Sequence, residues 1–259
     1  MSVIRTDQWL LDSYDQPMDI CKKLKLYFEG ASAIEIYEYL AMNGMYQPEE
    51  DEKKVIKTLQ NNRVWELVQN EQRRLQKEWD GPDVPVFIFP SDTTNPEFNR
   101  EFNSMAGLAF KDKLFLFIAG HHSGMNIKSL FTHEYNHVCR LAKWQKHEEH
   151  YVLLDTIILE GLAENAVRER LGEKFTAKWT VKYSDEELER LWKTLVLPNR
   201  SIINSHPKHN EILFGFRHYP KMLGYCIGYY LVRQFIKEKK LTSKDLLPLD
   251  STEIARILY

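Results

Sequence analysis

The order of the predicted secondary-structure elements constrains the fold of this chain most. Residues 17–79 are mostly helical in pattern, and Gly81-Pro82 ends the last helix. Three short apolar runs typical of strands follow, at residues 84–89, 106–110 and 114–119. The last two runs flank a Lys111-Asp112 turn, which predicts a hairpin. Helical patterns then return at residues 126–144, 155–171, 184–195, 221–239 and after 251. Helices, a small sheet and further helices in this order predict an α+β fold.

Charge and hydrophobicity exclude several classes of partner. The net charge of the 259 residues is −2, whereas binding to nucleic acid or to an anionic membrane favours a basic patch. No run approaches the roughly 18–20 apolar residues that span a bilayer. We therefore expect no nucleic-acid partner and no membrane partner.

The cysteines and the N-terminus indicate a reducing compartment. The three cysteines are scattered and lack CxxC spacing, which is unlike a disulfide framework. Residues 1–14 lack the apolar core and the cleavage site of a signal peptide. We expect a cytoplasmic protein, and the sequence leaves its oligomeric state open.

The run His133-Glu134-Tyr135-Asn136-His137 has the spacing of a zinc-binding helix. Residues four apart lie on the same helix face, so both imidazoles can reach one zinc ion at about 2.0–2.1 Å. Glu134, next to the first histidine, can contact a water at the metal without being a ligand. We predict His133 and His137 as zinc ligands and Glu134 as the general base of a metallopeptidase.

A third zinc ligand is expected from a neighbouring element. The segment after His137 lacks the third histidine of the extended motif. The next predicted helix carries Glu160 and Glu164 on one face among apolar neighbours, where a carboxylate is costly without a partner. We predict Glu160 as the third ligand and Glu164 as the hydrogen-bond acceptor for a ligating histidine. The alternative for each glutamate is an acid on the surface of an amphipathic helix.

These two segments carry a resemblance to a known family. The sequences HEYNHVCR (133–140) and LLDTIILEGLAE (153–164) resemble the glutamate-type zincins, and more narrowly the YjaZ-type family of bacterial predicted zinc-dependent proteases. The likeness covers residues 60–240. It implies a zincin-like fold, mostly helical with a small mixed sheet next to the helix of the histidine motif, one zinc ion per chain and a peptide or protein substrate. The family pattern often has a histidine where this chain has Asn136.

The change from helical to strand patterns after residue 80 indicates how the chain divides. We predict an N-terminal helical region, residues 1–80, and a zincin-like metallopeptidase region, residues 81–259, which together form one compact unit.

Peptide hydrolysis also needs a donor for the developing oxyanion and a surface that holds the substrate. His218 and Tyr225 are the candidate donors. The alternative for Tyr225 is packing in an aromatic core. On the same helix, Gly224 and Gly228 lie one turn apart and predict close packing against a neighbouring helix. The strand at residues 114–118 precedes the motif helix, and we expect an exposed edge there to bind the substrate as an added strand.

Two other functions compete with peptidase activity. A di-iron protein also uses a Glu134-x-x-His137 pair, but it needs a second E-x-x-H motif, which the sequence lacks. A catalytically silent zincin-like protein with a binding or regulatory role would keep the same residues. Metal content together with activity on unfolded protein distinguishes the three.

Overall fold

The computed structural model describes residues 3–48, 53–94, 99 and 103–257. The helices are α1 (Thr6–Ser13), α2 (Pro17–Leu24), α3 (Ala33–Met42), α4 (Lys53–Asn61), α5 (Val64–Trp79), α6 (Gly124–Lys143), α7 (Leu153–Leu171), α8 (Asp185–Leu191), α9 (Pro207–Phe214), α10 (Leu223–Lys239) and α11 (Ser251–Ile254). The strands are β1 (Val86–Pro90), β2 (Met105–Ala109) and β3 (Leu114–Ile118). Along the sequence, helices come before and after the three strands of one small sheet, which confirms the α+β class. None of the described helices combines the length and hydrophobicity needed to cross a bilayer.

The sheet is mixed, and β3 is its central strand. β1 pairs with β3 in parallel, and β2 pairs with β3 antiparallel, with Gly107 opposite Leu116. The predicted hairpin is therefore confirmed. The prediction that residues 114–118 form an exposed edge is wrong, because β3 is hydrogen-bonded on both sides and fully buried. In the described part of the chain, β2 pairs on one side only and is the half-buried edge strand.

The chain divides into two compact units, Met1–Val138 and Cys139–Tyr259. In the first unit, alternating phenylalanines of β1 and β3 pack against apolar residues of the N-terminal helices. Phe87 and Phe115 are paired in register, and their stacked ring centroids lie 4.8 Å apart. Residues between these phenylalanines are buried too, so both faces of β1 and β3 are covered. The division predicted at residue 80 stays a prediction.

In the second unit, α7 and α10 cross with their backbones in contact. A Cβ atom added at Gly161 would lie 2.2 Å from the carbonyl oxygen of Gly228. A Cβ atom at Gly228 would lie 1.9 Å from the carbonyl oxygen of Ile157. The buried Asn165 amide donates to Gly161 O at 2.8 Å and to Tyr229 O at 3.1 Å, which joins the two helices. The close packing predicted from Gly228 is therefore observed.

Two elements of the second unit differ from the prediction. The helix predicted at 184–195 ends as α8 at Leu191 and continues as a π-helical turn, Trp192–Val196. Helix α9 was not predicted from the sequence pattern. Pro207 starts α9 at a position where proline is tolerated, and the His206 side chain accepts the Lys208 N–H as a cap.

Candidate metal centre

Helix α6 carries the histidine motif and is anchored along one face. The Ser123 hydroxyl accepts the amide of Asn126 at the start of the helix. Phe131 and Tyr135 are buried one turn apart, and their rings stack at 5.5 Å. The Tyr135 hydroxyl donates to the carbonyl of Pro82 at 2.8 Å. These contacts fix the rotation of the helix about its axis, and with it the direction of the motif side chains.

The two histidines lie next to each other on α6, as their spacing predicts. Their ring centroids are 4.7 Å apart and the rings are perpendicular. His137 is buried and His133 is half-buried. A pair with one protected and one accessible ring suits a metal site that a substrate must reach.

Glu160 completes a group of three potential metal ligands. One ligand atom each from His133, His137 and Glu160 lies within 4.8 Å of the others. Donors around one tetrahedral zinc at 2.0–2.2 Å lie roughly 3.4 Å apart, so modest side-chain rotations would close the group. Two imidazoles and one carboxylate form the donor set of catalytic zinc sites that keep a position open for water. The residues therefore fit a zinc ion.

The Glu134 side chain lies against the edge strand of the sheet. Glu134 is 8% exposed, and its Cγ and Cδ atoms occupy space beside Gly107 in β2. A Cβ atom at Gly107 would lie 2.4 Å from both of these carbons and 2.8 Å from Oε1. The predicted base is thus held close to a strand whose outer edge is unpaired within the described residues.

Glu164 is buried one turn after Glu160 on α7. Its Oε1 atom accepts the backbone N–H of Ala177 at 2.5 Å, a contact that ties α7 to the following segment. Its predicted role as acceptor for a ligating histidine stays a prediction.

The two candidate oxyanion donors lie in and just after one tight loop. Gly215 has φ +75° and faces the carbonyl of Pro220, and Arg217 and Met222 are also left-handed. His218 is exposed on this loop. Tyr225 is half-buried at the start of α10, with the rings of Trp179 and Phe214 at 5.3 and 5.7 Å. Aromatic packing of Tyr225 is therefore observed, and the catalytic roles of both residues stay predictions.

Two residues near the motif were missed from the sequence. Gly107 is the first, and a glycine within a strand was the available signal, because it often marks a close approach. The second is His122, which lies two residues before the start of α6. His122 is buried, and burial, with a smaller effect of His121, lowers its pKa to about 4. Nothing in the sequence indicates that burial.

Comparisons with known proteins identify the family. Residues 64–256 match the model of the family described as "Predicted Zn-dependent protease (DUF2268)". The chain is 37% identical over 254 residues to the uncharacterized protein YjaZ of Bacillus subtilis (strain 168), covering 96% of each chain. It is 25% identical over 136 residues to the uncharacterized protein YjfC of the same organism, covering 49% of this chain and 46% of the relative. No solved structure matches the chain. The chain belongs to this family of predicted zinc-dependent proteases, as the resemblance implied.

At one position of the motif the chain differs from the pattern expected of the family. Asn136 stands where the resemblance led us to expect a histidine, and its side chain is fully buried within α6. Neither of its amide atoms has a hydrogen-bond partner among the described residues.

Proposed function

We propose that this protein is a zinc-dependent peptidase that hydrolyses peptide bonds in peptide or protein substrates. The observation that carries the proposal is the group His133, His137 and Glu160, with the Glu134 carboxylate on the same helix as the two histidines. One zinc ion held there would act as a Lewis acid and lower the pKa of a water to about 7.

In this proposal, Glu134 moves the proton. It takes a proton from the attacking water and delivers it to the departing amine, so one side chain serves as base and then as acid. Its position supports this role, because it neighbours a ligand in sequence without belonging to the ligand group. His218 and Tyr225 are the proposed donors to the developing oxyanion.

We propose that the substrate binds along the outer edge of β2. Among the described residues this strand has a hydrogen-bonded neighbour on one side only. A peptide added there as a further strand would pass Gly107, and hence Glu134. This corrects the sequence prediction, which assigned the role to residues 114–118.

A cytoplasmic location belongs to the proposal as well. It rests on the odd number of scattered cysteines, which suits a reducing compartment.

The decisive experiment separates metal binding from catalysis. Protein purified without chelator should contain one zinc per chain, and His133→Ala or His137→Ala should lose it. Glu134→Gln should retain zinc and lose activity on unfolded casein by at least about 10²-fold. Glu38→Gln, at an exposed glutamate of α3, is the matched control and should behave as the wild type.

Three results would refute the proposal. Two irons per chain would indicate a carboxylate-bridged di-iron protein. One zinc with no cleavage of casein or of a peptide library would indicate a binding or regulatory protein. Near-wild-type turnover of zinc-loaded Glu134→Gln would exclude Glu134 as the base.

A further inference from the structure

We propose that Gly107 is a positioning residue for Glu134: the missing side chain in the edge strand creates the space that holds the carboxylate. The inference rests on the proposed function for its catalytic consequence. The contact itself is a property of the fold and can be tested separately.

The direction of Gly107 follows from the alternation of β2. Ala106 and Leu108 pack against the apolar cluster formed with the N-terminal helices. Successive residues of a strand point to opposite faces, so position 107 points to the other face. The Glu134 side chain lies on that face.

The available space is too small for any side chain at position 107. A Cβ atom would lie 2.4 Å from Glu134 Cγ and Cδ, whereas carbon atoms pack favourably at about 3.5–4.0 Å. The strand is held by its antiparallel register with β3, so the Glu134 side chain must relieve the overlap by changing its rotamer. The carboxylate must therefore move by more than about 1 Å, and a displacement of this size can cost about 10²-fold in rate.

The effects of substituting Gly107 and Glu134 on the stability of the protein should consequently depend on each other. Removing the glutamate side chain beyond Cβ empties the space that an alanine at position 107 would enter. The substitution Gly107→Ala should then be harmful only when Glu134 is present. A glycine needed for the strand alone would be equally necessary in both backgrounds.

The test is a double-mutant cycle of Gly107→Ala and Glu134→Ala, measured by thermal unfolding of the zinc-free full chain. We expect Gly107→Ala to lower Tm by at least about 2 °C more in the wild type than in the Glu134→Ala background, given roughly 2–4 °C per kcal/mol at this size. Gly120→Ala is the control, because a Cβ atom there meets nothing closer than 3.4 Å. If the single variant fails to fold and the double variant folds, the coupling is established. Equal losses in both backgrounds, or failure of both to fold, would overturn the inference.

Kinetics test the catalytic consequence. Zinc-loaded Gly107→Ala should show a kcat lowered by about 10²-fold with little change in KM, because the base moves while the strand that holds the peptide stays in place. An unchanged kcat, or an effect on KM alone, would overturn the positioning role. If the wild type cleaves no peptide, the proposed function fails, and the stability cycle still decides whether Gly107 places Glu134.

Discussion

The crossing of α7 and α10 should not tolerate a single added methyl group. In Gly228→Ala the new Cβ atom would lie 1.9 Å from the carbonyl oxygen of Ile157, where about 3.3–3.6 Å is normal. The carbonyl oxygen is a backbone atom and the position of a Cβ atom is fixed by the backbone, so no rotation of a side chain relieves the clash. The helices must separate by about 1.4 Å at the crossing, or one of them must bend.

The size of the effect follows from three terms. Overpacking of a core costs typically about 1–3 kcal/mol and sometimes more. Separation of the helices also strains the hydrogen bond that the Asn165 amide on α7 donates to Tyr229 O on α10, which is worth about 1 kcal/mol. The gain from replacing glycine by alanine within a helix offsets about 1 kcal/mol. We expect a net loss of about 2 kcal/mol in the free energy of unfolding, which corresponds to roughly 4–8 °C in Tm.

Urea unfolding of the zinc-free protein, followed by circular dichroism, measures this loss directly. Gly120→Ala again serves as the control and should stay within about 0.5 kcal/mol of the wild type. A Gly228→Ala variant as stable as that control would show that the helices do not pack backbone to backbone, and the reasoning would fail.

Two further predictions concern the metal and the acid stability. Glu160→Ala should weaken zinc binding more than Glu164→Ala does. The reason is that a ligand supplies a bond to the metal, whereas a hydrogen-bond partner of a ligand tunes the affinity by about 10–100-fold. Competition with a chelator measures both affinities, and equal losses would contradict the assignment. The depressed pKa of His122 favours its neutral form in the folded state, so its contribution to stability is complete above pH 6.5 and is lost as the pH falls to about 4. At about 1.4 kcal/mol per pH unit the loss reaches at most about 3–4 kcal/mol. His122→Gln should therefore flatten this part of the stability curve. An unchanged acid slope in urea titrations would argue against a buried neutral His122.

The elements with strong local signals were predictable from the sequence. Helix α6 was predicted from apolar residues at helical spacing, although it begins at Gly124, with the Ser123 hydroxyl accepting the Asn126 amide, and not at residue 126. Helix α7 ends as predicted before Gly172, whose φ of +92° suits glycine. The hairpin of β2 and β3 needed only two apolar runs and a short turn. Each of these patterns lies within about twenty residues, which is why one sequence suffices to read it.

Non-local pairing was not predictable in the same way. The position of β3 between β1 and β2 depends on a parallel pairing across residues 91–113, and a hairpin pattern carries no information about its other neighbour. The edge strand was therefore assigned to the wrong member of the hairpin. Helix α9 was not predicted either, although Pro207 occupies its first turn, where proline is tolerated.

The same difference between local and non-local contacts applies to the candidate site. His133 and His137 share a helix face by their spacing alone, so their proximity needed no knowledge of the fold. Arg140, one turn further along, is buried and donates through one nitrogen to the carbonyls of Leu246, Leu247 and Leu249. The sequence near Arg140 gives no sign of these partners more than a hundred residues away. Gly107 and Glu134 are likewise separated by a strand and a turn, so the space that one leaves for the other appears only in three dimensions. Neighbours set by helical spacing can therefore be predicted from the sequence, whereas neighbours brought together by the fold cannot.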